Sequence, residues 1–260
     1  MSIGDATITL RSEEEAPVAT LYSTFFCPFA QRAWIALECK AVRYKWVSCK
    51  LYDGTPSTKR ALSLQAKRDA TPGFVECSPR GLVPGLRHGD VAVFESLPVI
   101  EYIEEAFPGP ALMPSDPAER ARIRIGAQLF NEIVVKRWYA LLMSPPEAWD
   151  QGKESLAAGF EEIMALFSAG SPFFSKFGFS LFECACLPWL QRTYSVMSHY
   201  RQFHLPKDRF QRLHEWYEAC LKVEGFANTI VEEAKLIDSY AGYACYTADN
   251  NASQLYGQKK

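Results

Sequence analysis

The sequence predicts an α/β domain, a mixed sheet covered by helices, followed by an all-α domain. Three observations carry this. Short β-prone runs alternate with helical patterns over residues 17–107. The stretch "PGPALMPSDP" (108–117) places four prolines in ten residues and reads as a linker. Beyond it every segment has helical periodicity. The expected boundaries are a flexible tail at 1–16, a first domain at 17–107, a linker at 108–117 and an all-helical domain at 118–260.

Each element follows from its local chemistry. "PVATLYS" (17–23) is a short apolar strand. "CPFAQRAWIALECK" follows as a helix, with Pro28 at the first helical position, where its missing N–H costs nothing. "RYKWVSC" (43–49) is a second strand, and strand–helix–strand suits a parallel pair. Residues 50–73 are polar and punctuated by prolines and glycines, with room for a short helix near 58–68. "GLVPGLRHG" and "VAVFES" (81–96) form a hairpin turning at "HGD". "SLPVIEYIEEAF" (96–107) is helical, with Ser96 as N-cap. Helices are expected at about 117–143, 150–169, 180–200, 206–223 and 225–240. "SLFE" (180–183) matches a capping box, and Pro188 interrupts the same helix.

Composition narrows the function. The 260 residues carry a net charge of -2, and no Lys/Arg run exceeds two residues, which excludes the basic footprint of a nucleic-acid binder. The acidic N-terminus has neither the apolar core of a signal peptide nor the Arg-rich character of a transit peptide. No stretch reaches the roughly 18 apolar residues of a membrane span. A cytoplasmic protein is expected, its eight cysteines reduced. They form no C-x-x-C pair and no His/Cys cluster, so no metal site is expected.

Cys27 stands apart, because it opens the first helix. Unpaired N–H groups and the helix dipole favour an anion there, and a thiolate is the nucleophilic form of cysteine. A two-unit fall in pKa needs about 2.7 kcal/mol. The dipole supplies at most about 2, so N–H···S bonds or a cation such as Arg32 must add the rest. The alternative is a buried apolar cysteine. "VP" at 83–84 favours the functional reading. In a thioredoxin-like sheet a proline opening the third strand is cis, and the residue before it offers its backbone to an extended peptide.

"FCPFAQR", "PRGLVPGL" and "FESLPVIEYIEEAFPGPALMPSDP", in that order and spacing, resemble the cytosolic glutathione transferases, and the omega class in particular. The resemblance spans both halves of the chain. It implies a thioredoxin-like N-terminal domain, an all-α C-terminal domain, glutathione as cosubstrate and a homodimer. Cys27 would form a mixed disulfide with glutathione, beside Phe29. Val83, before cis-Pro84, would pair with its cysteinyl backbone. Glu95 and Ser96 would hold its γ-glutamyl end. The lysine that the class uses for the glycine carboxylate is replaced by Ala70. Lys67 or Arg68, in a region also holding Lys50, Lys59 and Arg60, is the substitute. Trypanothione or a related thiol stays open, since the thiol-dependent reductases of trypanosomatids resemble the same pattern. The second substrate is expected between the domains, near Trp138, Tyr139 and Trp189, residues that core packing would equally explain.

At the C-x-x-C position the chain has Ala30, and Cys39 lies about 18 Å further along the helix. A second small thiol must therefore resolve the mixed disulfide. This points to a monothiol reductase: thiol transfer, dehydroascorbate reduction or deglutathionylation of small disulfides. Two alternatives stay open on the same fold: a chloride-channel-like protein that associates with membranes, and a non-catalytic scaffolding domain.

Overall fold

A computed structural model describes residues 18–54 and 60–245. The tail at 1–16 and Lys59 lie outside the described residues. Close packing divides the chain into two units. One comprises 18–51, 62–113 and 221–230; the other comprises 52–54, 60–61, 114–220 and 231–245.

The first unit has the expected mixed sheet. Strand β1 (Ala19–Ser23) leads to helix α1 (Pro28–Cys39) and then β2 (Tyr44–Ser48), which pairs parallel to β1. The short β3 (Tyr52–Asp53) and β4 (Arg60–Ala61), which belong to the other unit, pair antiparallel with each other. Helices α2 (Leu64–Ala70) and α3 (Phe74–Cys77) follow, then the antiparallel hairpin β5 (Gly85–His88) and β6 (Val91–Phe94), then α4 (Ser96–Ala106). The sheet order is β2-β1-β5-β6. Tyr44 and Trp46 are buried while Lys45 is exposed, the alternation a one-sided strand requires. Helix α1 instead buries residues on most of its circumference. It packs against α4 and also against 221–230, where Gln31 Nε2 donates to the buried Thr229 carbonyl.

Two parts of this unit differ from the sequence reading. The helix expected near 58–68 begins only at Leu64, because Ser63 caps it through a bond from the Ala66 N–H. The proline-rich stretch does not start as a free linker. Glu104 accepts from Lys40 Nζ at 2.8 Å and from the Leu112 and Met113 amides, and Leu112 and Met113 are buried. At Gly109 (φ 132°) an added Cβ would lie 2.4 Å from the Lys40 carbonyl, so only glycine allows this approach.

The second unit is helical: α5 (Pro117–Phe130), α6 (Lys136–Leu142), α7 (Trp149–Met164), α8 (Leu181–Arg192), α9 (Ser198–Arg201), α10 (Lys207–Leu221) and α12 (Glu233–Ala244). The short α11 (Glu224–Ala227) packs with the first unit, against α1. At Gly225 a Cβ would meet the Cys39 backbone N at 2.6 Å. The expected helix at 225–240 is thus two helices, and most of the break between them belongs to the first unit.

Asp116 caps α5 through the Glu119 N–H, with Pro117 at the first position. Two π-helical turns, at Asn131–Val135 and Thr193–Met197, interrupt helices the sequence predicts as continuous. In the second, Thr193 and Ser195 hydroxyls bond to the carbonyls four residues back, competing with the ordinary ladder. The buried Arg201 donates to the carbonyls of Leu141, Leu142 and Ala244, placing its charge at the C-terminal ends of α6 and α12. No helix among the described residues is long and apolar enough to cross a membrane.

Candidate functional site

Cys27 is the N-cap of α1, in extended conformation with Pro28 following it. Its amide donates to Thr24, and its carbonyl accepts the first helical bond, from Gln31 at 3.0 Å. The half-buried thiol lies 3.9 Å from the Val83 carbonyl. Val83–Pro84 is a cis peptide, as the resemblance implies. The β1–β5 ladder pairs Gly85 with Tyr22 and does not extend back to Val83.

The loop before Val83 is fixed by its carbonyls. Lys67 Nζ donates to Gly81 at 2.9 Å, and Ser78 Oγ donates to Leu82 at 2.7 Å. With the Cys27 contact, three successive carbonyls each meet a side-chain donor. Lys67 is buried, and that burial pushes its ammonium below the usual lysine range. Arg68 points elsewhere: its guanidinium holds Glu76 at 2.9 Å and Gln65 at 3.3 Å. Of the two candidates for the missing lysine, Lys67 is therefore the one brought to the Val83 loop. Ala70 is the last residue of the same helix.

Glu95 and Ser96 sit where β6 passes into α4. The N-cap is Glu95, at φ 68°, one position before the Ser96 that the sequence suggests, and Ser96 is the first helical residue. Ser96 Oγ does not cap its own helix. It accepts from the buried Arg32 at 3.0 Å, while the Arg32 guanidinium lies over the Phe29 ring at 5.3 Å. The sequence reading offered Arg32 as a cation for Cys27. Arg32 ties α1 to the Glu95–Ser96 junction. The Glu95 carboxylate meets Arg80, a residue that sequence reasoning passed over, because one arginine in a turn-rich loop carries no pattern.

The three aromatic residues expected near a second substrate divide. Trp138 and Trp189 are fully buried in the helical unit. Trp138 donates Nε1–H to Thr193 Oγ1 at 3.1 Å and packs edge-on to Tyr139 and to Tyr240, and Trp189 meets Phe130. This corrects their expected role: hydrophobic burial takes both rings into the core, where no substrate reaches them. Tyr139 keeps part of its surface exposed.

Burial pushes the Cys49 and Cys77 thiols up, which keeps them protonated and poorly nucleophilic. Cys184, Cys186 and Cys220 are buried as well, and Cys245 is exposed.

Comparison with known proteins agrees with this geometry. Residues 21–111 match the family model described as "Glutathione S-transferase, N-terminal domain". Protein IN2-1 of Zea mays is 31% identical over 222 residues, covering 84% of this chain and 82% of that protein. Glutathione S-transferase omega-1 of Rattus norvegicus is 28% identical over 239 residues, covering 91% of this chain and 89% of that one. Among solved structures, glutathione transferase Omega 3C from Trametes versicolor superposes with a TM-score of 0.69 at 25% identity, covering 88% of this chain and 91% of that one. With that coverage reaching across both units, the chain belongs to the glutathione transferase family.

Proposed function

We propose that this chain is an omega-like, glutathione-dependent thioltransferase, with Cys27 as a monothiol nucleophile. The observation that carries the reading is the Cys27 thiol at a helix N-cap, 3.9 Å from the Val83 carbonyl, with Ala30 at the position of a resolving cysteine.

The exchange runs in two steps. The Cys27 thiolate attacks the glutathionyl sulfur of a mixed disulfide. The Cys27–glutathione disulfide forms, the substrate disulfide breaks, and the electron pair leaves with the substrate thiolate. A second glutathione, as thiolate, then attacks the glutathionyl sulfur bound to Cys27. Oxidised glutathione departs and the Cys27 thiolate returns. No acid–base residue is required. Backbone N–H groups of the first α1 turn stabilise the thiolate at the start and end of the cycle. Val83 aligns the cysteinyl backbone, and Glu95 and Ser96 hold the γ-glutamyl head. Release of glutathione from protein thiols uses the same cycle. With dehydroascorbate the Cys27 thiolate adds to a carbonyl carbon. A first glutathione thiolate attacks the Cys27 sulfur, so that ascorbate leaves with the electron pair and the Cys27–glutathione disulfide forms, and a second glutathione releases it as before.

Steady-state kinetics with a small glutathione mixed disulfide and glutathione test the reading. A covalent enzyme intermediate predicts ping-pong behaviour, with parallel double-reciprocal lines. Intersecting lines would mean that both substrates must be bound before any bond forms, and the monothiol cycle would fail.

A further inference from the structure

We propose that Arg80 belongs to the glutathione site, as the cation that receives the α-carboxylate of the γ-glutamyl group. The proposal rests on the thioltransferase reading above. Its own basis is the pairing of Arg80 with Glu95: Nη1 lies 2.5 Å from Oε1, with the two side chains 59% and 50% exposed.

An exposed pair of this kind contributes little to folding. Both partners nevertheless stand on fixed backbone. Arg80 lies in the turn closed by the Gly81 N–H to the Ser78 carbonyl at 2.7 Å, within the loop pinned by Lys67 and Ser78. Glu95 caps α4 from a positive φ, and its neighbour Ser96 is held by the buried Arg32. A guanidinium and a carboxylate are thus presented side by side, three residues from Val83 on one side and next to Ser96 on the other.

The γ-glutamyl head carries an ammonium and a carboxylate on one carbon. It is complementary to that pair and can divide it, with the ammonium on Glu95 and the carboxylate on Arg80. Glu95 alone would attract the ammonium and repel the carboxylate beside it. Arg80 removes that repulsion, and its planar fork can take both carboxylate oxygens. Ser96 accepts from Arg32 and so keeps its own O–H to donate to the same carboxylate. The γ-glutamyl head is then recognised by two opposite charges, and Arg80 sets the preference for its carboxylate.

The test uses the full chain, its Arg80→Gln, Arg80→Lys and Glu95→Gln variants, and three thiols. These are glutathione, 4-aminobutyryl-Cys-Gly, which lacks the α-carboxylate, and glutaryl-Cys-Gly, which lacks the α-ammonium. Arg80→Gln should raise the KM for glutathione about tenfold, the worth of a charge-assisted contact. It should also erase the wild-type preference for glutathione over the 4-aminobutyryl thiol while leaving the preference over the glutaryl thiol. Glu95→Gln should do the reverse, and Arg80→Lys should restore part of the loss. If Arg80→Gln keeps the wild-type preference over the 4-aminobutyryl thiol, the proposal is wrong. Calorimetric binding of S-methylglutathione separates the two readings. A chain that binds it but turns over no thiol disproves the thioltransferase cycle, and the same Arg80 comparison is then made on binding of the S-methyl derivatives. A chain that does not bind it overturns the Arg80 assignment as well.

Discussion

Cys27→Ser should lower glutathione-dependent reduction of a small mixed disulfide by at least about 10³-fold, as expected when a covalent nucleophile is removed. Oxygen cannot form the mixed disulfide, and a serine hydroxyl is scarcely ionised at neutral pH. The fold should be unaffected. The swap is nearly isosteric, serine is a good N-cap, and the thiol's contact with Val83 is long at 3.9 Å. Melting temperature and S-methylglutathione affinity should therefore stay close to wild type. Cys245→Ser is the control, because Cys245 is exposed and lies in no helix N-terminus. Equal losses in the two variants, or substantial activity in Cys27→Ser, would place the nucleophile elsewhere.

The largest effect on stability is expected at Glu183. Its fully buried carboxylate accepts four hydrogen bonds: from the Phe174 amide at 2.8 Å, the Ser180 amide at 2.9 Å, Ser180 Oγ at 2.6 Å and Trp216 Nε1 at 3.1 Å. It therefore completes the capping box of α8 and also anchors the 171–180 loop and α10 to it. Glu183→Ala leaves four donors without their acceptor, and should cost about 3–5 kcal/mol, as breaking a buried charged network does. That is a large share of the roughly 5–15 kcal/mol that holds a domain folded. Glu183→Gln keeps the shape but turns an NH₂ toward the donors, and should fall between. Urea unfolding of the purified variants measures this. A Glu183→Ala chain within about 1 kcal/mol of wild type would show that the network is not what holds α8, since a lone cap is worth only about that much.

Much of this was legible in the sequence because it rests on local chemistry. Pro28 marks the start of α1 whatever packs around it, and alternation in "YKWVS" marks a half-buried strand. "SLFE" names its own capping box. What the sequence could not show depends on distant partners. Thr229 reaches Gln31 across 198 positions, so nothing near either residue signals that 221–230 packs with the first unit. The same holds for Lys40 with Glu104, which docks the proline-rich stretch. In the candidate site, Cys27 and Val83 stand out because each sits at an element boundary with its own signature, and the Glu95–Ser96 junction was named through the family resemblance. Arg32 to Ser96 and Arg80 to Glu95 were not legible, since a side chain's direction is set by tertiary packing. Trp138 and Trp189 failed for a related reason: an aromatic residue reads the same in sequence whether it lines a cleft or fills a core.

The most direct measurement of the central claim is whole-protein mass spectrometry after incubation with oxidised glutathione, followed by peptide mapping without reduction. The account predicts a single glutathione adduct on the peptide carrying Cys27, removed by added glutathione without formation of an internal disulfide. An adduct on Cys39 or Cys245 with Cys27 unmodified, or a disulfide from Cys27 to another cysteine of the chain, would contradict it.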